Sequence, residues 1–309
     1  KRSVLQKNLI AVFSTLLYTV TPLMLHRTVA GIPELESAGL FFFWLSFLLF
    51  LHAWEEKDEN HKGVLNKRNL FALLSGISTS FMIFTWGGSK FILMSLSIAV
   101  LIEFILGKIK KEKIIIYSLW FLPSIFFLVV KSGFFSLIEL TNGLSPTFVF
   151  FVLITSVFLK NSWEEKIKSI TKKDWISKEI ISILLFSFVG ILVLLVIKPD
   201  YVIGLLGAIK ESLLYPFGRE RVGVTVAENA KPYVVDWFSQ FGKWFFWLFF
   251  FGTIFLFNSA TAHLYKKERI ILNLSFIIFI FGFVFSRYSS SSTFNGDNLI
   301  SQVVYFGSL

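Results

Sequence analysis

Four stretches of this 309-residue sequence hold residue types that handle charged or polar ligands. In "HRTVAGIPELESAGL", residues 26–40, Glu34 and Glu36 stand one residue apart just before an apolar run. Two carboxylates at i and i+2 in a turn can face one hard cation that takes oxygen ligands, such as Mg²⁺, Mn²⁺ or Ca²⁺. The same carboxylates also suit a plain helix start, where negative charge meets the positive end of the dipole. In "GRERVGVTVAENAKPYVVDW", residues 218–237, Thr225 and Glu228 precede Pro232. The alternation of Val222, Val224 and Val226 predicts an extended segment that carries Glu228 to a defined depth and can pair with a peptide strand. A solvated charge in a loop is the alternative. In "SRYSSSSTFNGD", residues 286–297, Arg287 offers a guanidinium, the usual partner of phosphate oxygens. It also fits a snorkelling interfacial side chain. The run Ser289 to Thr293 reads as a helix cap or helix contact. Finally, "TWGGSK", residues 85–90, is a tight turn with Trp86 at an interface. His26, His52, His61 and His263 show no metal-ligand spacing, and there is no cysteine.

The elements that must position these residues are membrane-grade. At 55% hydrophobic, 18% aromatic and 16% charged, the chain is too apolar for a soluble domain of its size. A bilayer core of ~30 Å calls for about 20 apolar residues per helix. Such stretches predict about nine helices, near 8–25, 38–54, 69–86, 89–107, 114–130, 146–160, 179–198, 242–260 and 270–286. The expected fold class is all-α, a polytopic transmembrane helical bundle. Residues 199–241 form a long external loop within it, and its first half, 201–214, has apolar residues at helical spacing suited to a membrane surface. Lys1 and Arg2 followed by an apolar run, with Thr28-Val29-Ala30 further on, imitate a signal peptide, but the many later spans fit one topology that includes the first.

The net charge of +10 is spread over alternate loops, with 20 of the 30 basic residues in residues 1–7, 55–68, 108–113, 160–178 and 266–269. That is the positive-inside pattern. A nucleic-acid partner would need the charges on one face, so none is expected. The opposite side then collects Arg27, Glu34, Glu36, Trp86, Arg219, Glu220, Arg221, Glu228 and Arg287.

Taken together, the four stretches resemble the catalytic subunit of oligosaccharyltransferase, the polyprenyl-diphosphate-dependent N-glycosylation enzyme, most nearly its archaeal type. "RTVAGIPELE" is similar to the family's second-loop motif, an arginine followed seven residues later by an acidic-x-acidic pair. "TWGGSKFILMSL" resembles its Trp-Gly-Gly turn, "TVAENAKPYVVDW" its Thr/Ser-x-x-Glu loop, and "SRYSSSS" stands where the family has a diphosphate-binding arginine. The resemblance covers about residues 8–309. It implies a GT-C-type membrane domain in an archaeal cell membrane, with the active site on the extracytoplasmic face. It further implies catalytic roles for Glu228, Glu36 and Arg27, substrate binding by Arg287, Thr225 and Trp86, and Mg²⁺ or Mn²⁺ held by Glu34, Glu36 and Glu228. The implied partners are a lipid-linked oligosaccharide on a polyprenyl or dolichyl diphosphate, acceptor polypeptides with Asn-x-Ser/Thr, and the bilayer. The sequence departs from the family in three places. The first external-loop Asp motif and the Trp-Trp-Asp-Tyr-Gly element are missing, which marks the chain as a partial transmembrane domain, inactive alone. Glu34 stands where the pattern has Asp, and its extra methylene moves the carboxylate by more than ~1 Å against a metal-distance tolerance of ~0.2 Å, so Glu36 can take its place.

The chemistry would be demanding. An asparagine amide is a poor nucleophile because resonance delocalises its nitrogen lone pair, with a rotational barrier of about 18–20 kcal/mol. Carboxylates accepting both amide N–H bonds weaken that conjugation, while a divalent ion and Arg287 neutralise charge growing on the departing diphosphate. The loop carrying Glu228 would close over the bound peptide and exclude water. Two alternatives remain: a polyprenyl-monophosphate-sugar glycosyltransferase of the same architecture, which is not expected to carry the Thr-x-x-Glu loop, and a polytopic transporter. The transporter predicts mid-membrane ionisable residues or inverted repeats, yet Glu103 lies about a turn from the "GKIKK" end and no repeat is visible.

Overall fold

The computed structural model describes residues 4–21, 35–55, 66–86, 88–132, 146–159, 177–197, 199–214 and 232–309. The described residues are helical, with no named strand among them, and a single isolated bridge pairs Arg287 with Asn295. In chain order the helices are α1 (Val4–Thr19), α2 (Leu35–Glu55), α3 (Lys67–Thr85), α4 (Ser89–Ile105), α5 (Lys111–Ser132), α6 (Pro146–Phe158), α7 (Lys178–Ile197), α8 (Pro199–Leu214), α9 (Val234–Phe241), α10 (Lys243–Ala260), α11 (Lys266–Phe285) and α12 (Leu299–Ser308).

A helix stands at each of the nine stretches where apolar length called for one, although α1 is shifted towards the N-terminus and α11 starts four residues early. Four of them are long and apolar enough to cross a membrane: Leu35–Glu55, Lys178–Val196, Lys243–His263 and Lys266–Phe285. Helices α1, α4 and α6 have 16, 17 and 13 residues, at or below the lower limit of about 17 for a span. Within the stretch 199–241, α8 covers the part whose apolar residues have helical spacing, and α9 stands at its far end. The expected extended segment at Val222–Val226 lies outside the described residues.

Apolar side chains face outward in quantity. Helix α11 buries none of its residues, and on α7 Leu184 and Phe188 are 62% and 64% exposed. A helix apolar on every side and yet uncovered is matched to hydrocarbon rather than water.

The chain divides into two compact units, residues 30–199 and residues 1–29 with 200–309. The first has a core of Phe50, Met82, Leu96, Trp120, Phe121 and Val152, among others, and is laced by small polar residues on α3. Ser75 Oγ donates to Ser46 O at 2.8 Å and Ser78 Oγ to Phe42 O at 3.2 Å, tying α3 to α2. On the α5 side Trp120 Nε1 donates to Thr79 Oγ1 at 3.0 Å, Ser124 Oγ donates to Gly76 O at 3.3 Å, and Ser80 Oγ donates to Pro123 O. A Cβ on Gly76 would stand 2.4 Å from Trp120 O, so the two backbones touch. With lipid as solvent, close packing and interhelical hydrogen bonds of this kind hold helices together. At the end of the unit beside the basic 108–113 turn, Glu103 accepts from Trp54 Nε1 at 2.8 Å and pairs with Lys113, whose Nζ also lies 4.7 Å from the Trp54 ring centre. Glu103 thus ties α2, α4 and α5 together.

The second unit centres on Val234, Phe246 and Phe250, with Trp247, Phe285 and others packed round them. Its α10–α11 corner is fastened by Arg269, which donates to Asn258 Oδ1 at 2.8 Å and to Asn258 O at 3.2 Å, while Asn273 Nδ2 donates to Thr261 Oγ1 at 3.0 Å. Gly282 on α11 lets α12 lie close, since a Cβ there would meet Ser308 Cβ at 2.2 Å.

Gly76→Val drives a branched side chain into the α5 backbone and is expected to destabilise the chain by about 2 kcal/mol or more. Reversible unfolding in mixed micelles measures it, with the exposed-face control Gly190→Ala, which has open space around it, changing stability by less than about 1 kcal/mol.

Candidate functional site

Three of the residues singled out from sequence are described, Glu36 and Trp86 in one unit and Arg287 in the other. In the unit 30–199, Glu36 sits in the first turn of α2 and is half-buried. Gly39 lies three residues on, on the same helix face, and a Cβ there would fall 2.5 Å from Trp86 Cβ. The Trp86 ring therefore packs where α2 passes the end of α3. Trp86 closes α3, its N–H donating to Met82 O at 2.8 Å, and its ring also crowds Gly88. Gly39 and Gly88 thus leave room for the Trp86 side chain.

In the other unit, the tail of the "TVAENAKPYVVDW" stretch packs against the Arg287 turn. Pro232 and Tyr233 lead into α9, where Asp236 Oδ2 accepts from Tyr233 N at 2.7 Å. Val234 N donates to Arg287 O at 3.1 Å and Val235 N to Tyr288 O at 3.3 Å. The turn that follows α11 folds back on itself, with Tyr288 N donating to Phe294 O at 2.7 Å beside the Arg287–Asn295 bridge. Asn295 Oδ1 accepts from Asp297 N and Asn298 N, both at 3.0 Å, and Asn298 Oδ1 caps α12 through Ser301 N at 2.8 Å. The half-buried Arg287 guanidinium lies 4.3 Å from the centre of the Tyr233 ring. Gly296 takes a left-handed φ of 87°, and a Cβ there would stand 3.1 Å from Arg287 Cγ and 3.2 Å from Nη1. The serine run is a turn as well as a helix flank, with Ser292 Oγ donating to Ser289 O at 2.9 Å and accepting from Ser289 N at 3.2 Å.

Chemically, the second arrangement is a cation held by an aromatic face at the end of a helix long enough to span a membrane, in a turn rich in hydroxyls. It can bind an oxyanion. Arg27, Glu34, Thr225 and Glu228 lie outside the described residues. Among the described residues no three His, Cys, Asp or Glu side chains gather as a metal site. Glu36 alone of the expected ligands is described, and one carboxylate does not make a divalent site. His52 and His263 have ring nitrogens at 2.8 and 2.9 Å from local carbonyls, Leu48 O and Ala260 O. Comparison of the chain with protein-family models, with curated proteins and with solved structures gave no match.

Sequence reasoning missed Tyr233 and Gly296. Both had a signal: Asn295-Gly296 is a turn dipeptide, and Tyr233 follows the proline of the loop motif. Nothing in one-dimensional spacing says that an aromatic 54 positions upstream covers a given arginine.

Gly296→Ala forces a Cβ into a left-handed backbone beside the arginine stem. We expect a loss of about 1–2 kcal/mol, measured by denaturant unfolding in detergent, whereas Ser291→Ala at the serine turn leaves stability within about 0.5 kcal/mol.

Proposed function

We propose that the chain is the membrane part of a metal-dependent oligosaccharyltransferase, transferring a glycan from a polyprenyl diphosphate to an asparagine side chain on the extracytoplasmic face of an archaeal-type membrane. The observation that supports this is the docking of Pro232–Trp237 on the Arg287 turn. Two stretches that resemble separate elements of that family, some fifty positions apart, share two backbone hydrogen bonds and a contact of the arginine with an aromatic ring. Three residues lie between Glu228 and Pro232, and in this reading that short tether of at most about 14 Å would let Glu228 and Arg287 serve one substrate.

In this reading Arg287 neutralises charge on the leaving diphosphate. Glu36 and Glu228, with Glu34 beside them, would hold Mg²⁺ or Mn²⁺, which supplies Lewis-acid stabilisation when bound. Glu228 would also accept a hydrogen bond from the acceptor amide, Thr225 and Trp86 would line the substrate path, and Arg27 would stand as a further cation. Membership of the GT-C architecture belongs to the same proposal.

In the full-length protein, Glu228→Gln is expected to reduce transfer to an Asn-x-Thr peptide by at least about a thousandfold with normal membrane yield. Near-normal transfer removes Glu228 from the site. Of Glu34→Gln and Glu36→Gln, the one that keeps metal-dependent activity is not the ligand. Transfer from a polyprenyl monophosphate sugar and not from a diphosphate donor supports the related glycosyltransferase instead.

A further inference from the structure

We propose that Tyr233 is a positioning residue for Arg287: with Gly296 it forms a cradle that fixes the guanidinium as a receptor for a diphosphate. This rests on Arg287 being the group that holds the diphosphate. The ring centre stands 4.3 Å from the guanidinium carbon, well inside the range of about 6 Å over which the aromatic quadrupole attracts a cation. A ring laid face to face on the guanidinium would engage its π surface, whereas the five N–H donors lie in the plane. Aromatic support and oxygen binding therefore do not compete for the same direction.

Each partner is itself held. Asp236 Oδ2 takes the Tyr233 N–H at 2.7 Å, and the next two amides donate to Arg287 O and Tyr288 O at 3.1 and 3.3 Å. The ring and the arginine are thus anchored to each other through the main chain as well as through the side chains. Gly296 approaches the stem on its bare Cα, where a Cβ would stand 3.1–3.3 Å from Arg287 Cγ, Nη1 and Cδ. A free arginine loses much of its rotamer freedom on binding an anion. An arginine clamped in advance loses less, which favours bidentate recognition of phosphate oxygens over a loose charge contact.

The test uses the full-length protein in phosphatidylcholine nanodiscs, with farnesyl diphosphate as the probe. Arg287 is observed through ¹⁵N,¹³C-labelled arginine, its signal identified by its disappearance in Arg287→Lys. A stacked guanidinium gives an upfield ring-current shift of the Arg287 side-chain protons, lost in Tyr233→Leu and kept in Tyr233→Phe. Probe binding is expected to weaken about tenfold in Tyr233→Leu, to remain within about twofold of wild type in Tyr233→Phe, and to be lost in Arg287→Gln. An Arg287 signal without the ring-current shift, or Tyr233→Leu binding the probe as tightly as wild type while Arg287→Gln does not, overturns the positioning role. Equal loss in Tyr233→Phe and Tyr233→Leu overturns it too, since a ring that positions by its face does not need the hydroxyl. A wild type that shows the shift but binds no better than Arg287→Gln leaves the cradle standing and overturns Arg287 as the diphosphate holder.

Discussion

Close approach of helix backbones is the constraint on which the rest of the structure depends. Where apolar side chains meet apolar surroundings, burying them gains little, and helices associate through close packing and a few directed hydrogen bonds. The contacts of Gly76 with Trp120 O, of Gly39 with Trp86 and of Gly282 with Ser308 are each too tight for a Cβ. Hydroxyls on α3 then reach carbonyls that their own helices already use: Ser75 and Ser78 bond to α2, and Ser80 bonds to α5. The outward faces, by contrast, carry large apolar residues with no counterpart inside the chain.

This division explains why the candidate site is made of termini. Regular helices satisfy their own backbone N–H groups, and what acceptor capacity their carbonyls keep is taken here by neighbouring hydroxyls. Polar recognition is left to the ends, and both clusters occur there: Glu36 in the first turn of α2 with Trp86 at the end of α3, and Arg287 just past α11 with Tyr233 just before α9. Cation, ring and glycine in the second cluster come from three separate points of the chain, joined by main-chain hydrogen bonds rather than by a sheet.

Helices were legible in the sequence because length and apolarity declare them. Boundaries were less so. Helix α11 begins at Lys266 rather than near 270 because Lys266, Lys267 and Glu268 form its first turn, and charge alone does not end a helix. Within the stretch 199–241 the helical spacing of apolar residues over 201–214 was legible, and α8 runs through it together with Asp200, Lys210 and Glu211. Arg287 was singled out from its type and place. Its aromatic partner was not, because a cation–π contact leaves no period in the chain. Glu103 could be placed near an end, but its tie to Trp54, 49 positions away, needed three dimensions.

The Arg269 corner has a consequence for how the molecule is made. Its partners, Asn258 and the Thr261–Asn273 pair, are separated by only 11 or 12 residues, so the α10–α11 hairpin closes on contacts available as soon as that stretch has left the ribosome. Two helices of spanning length are thereby joined by a latch that is local in sequence and needs no other part of the chain.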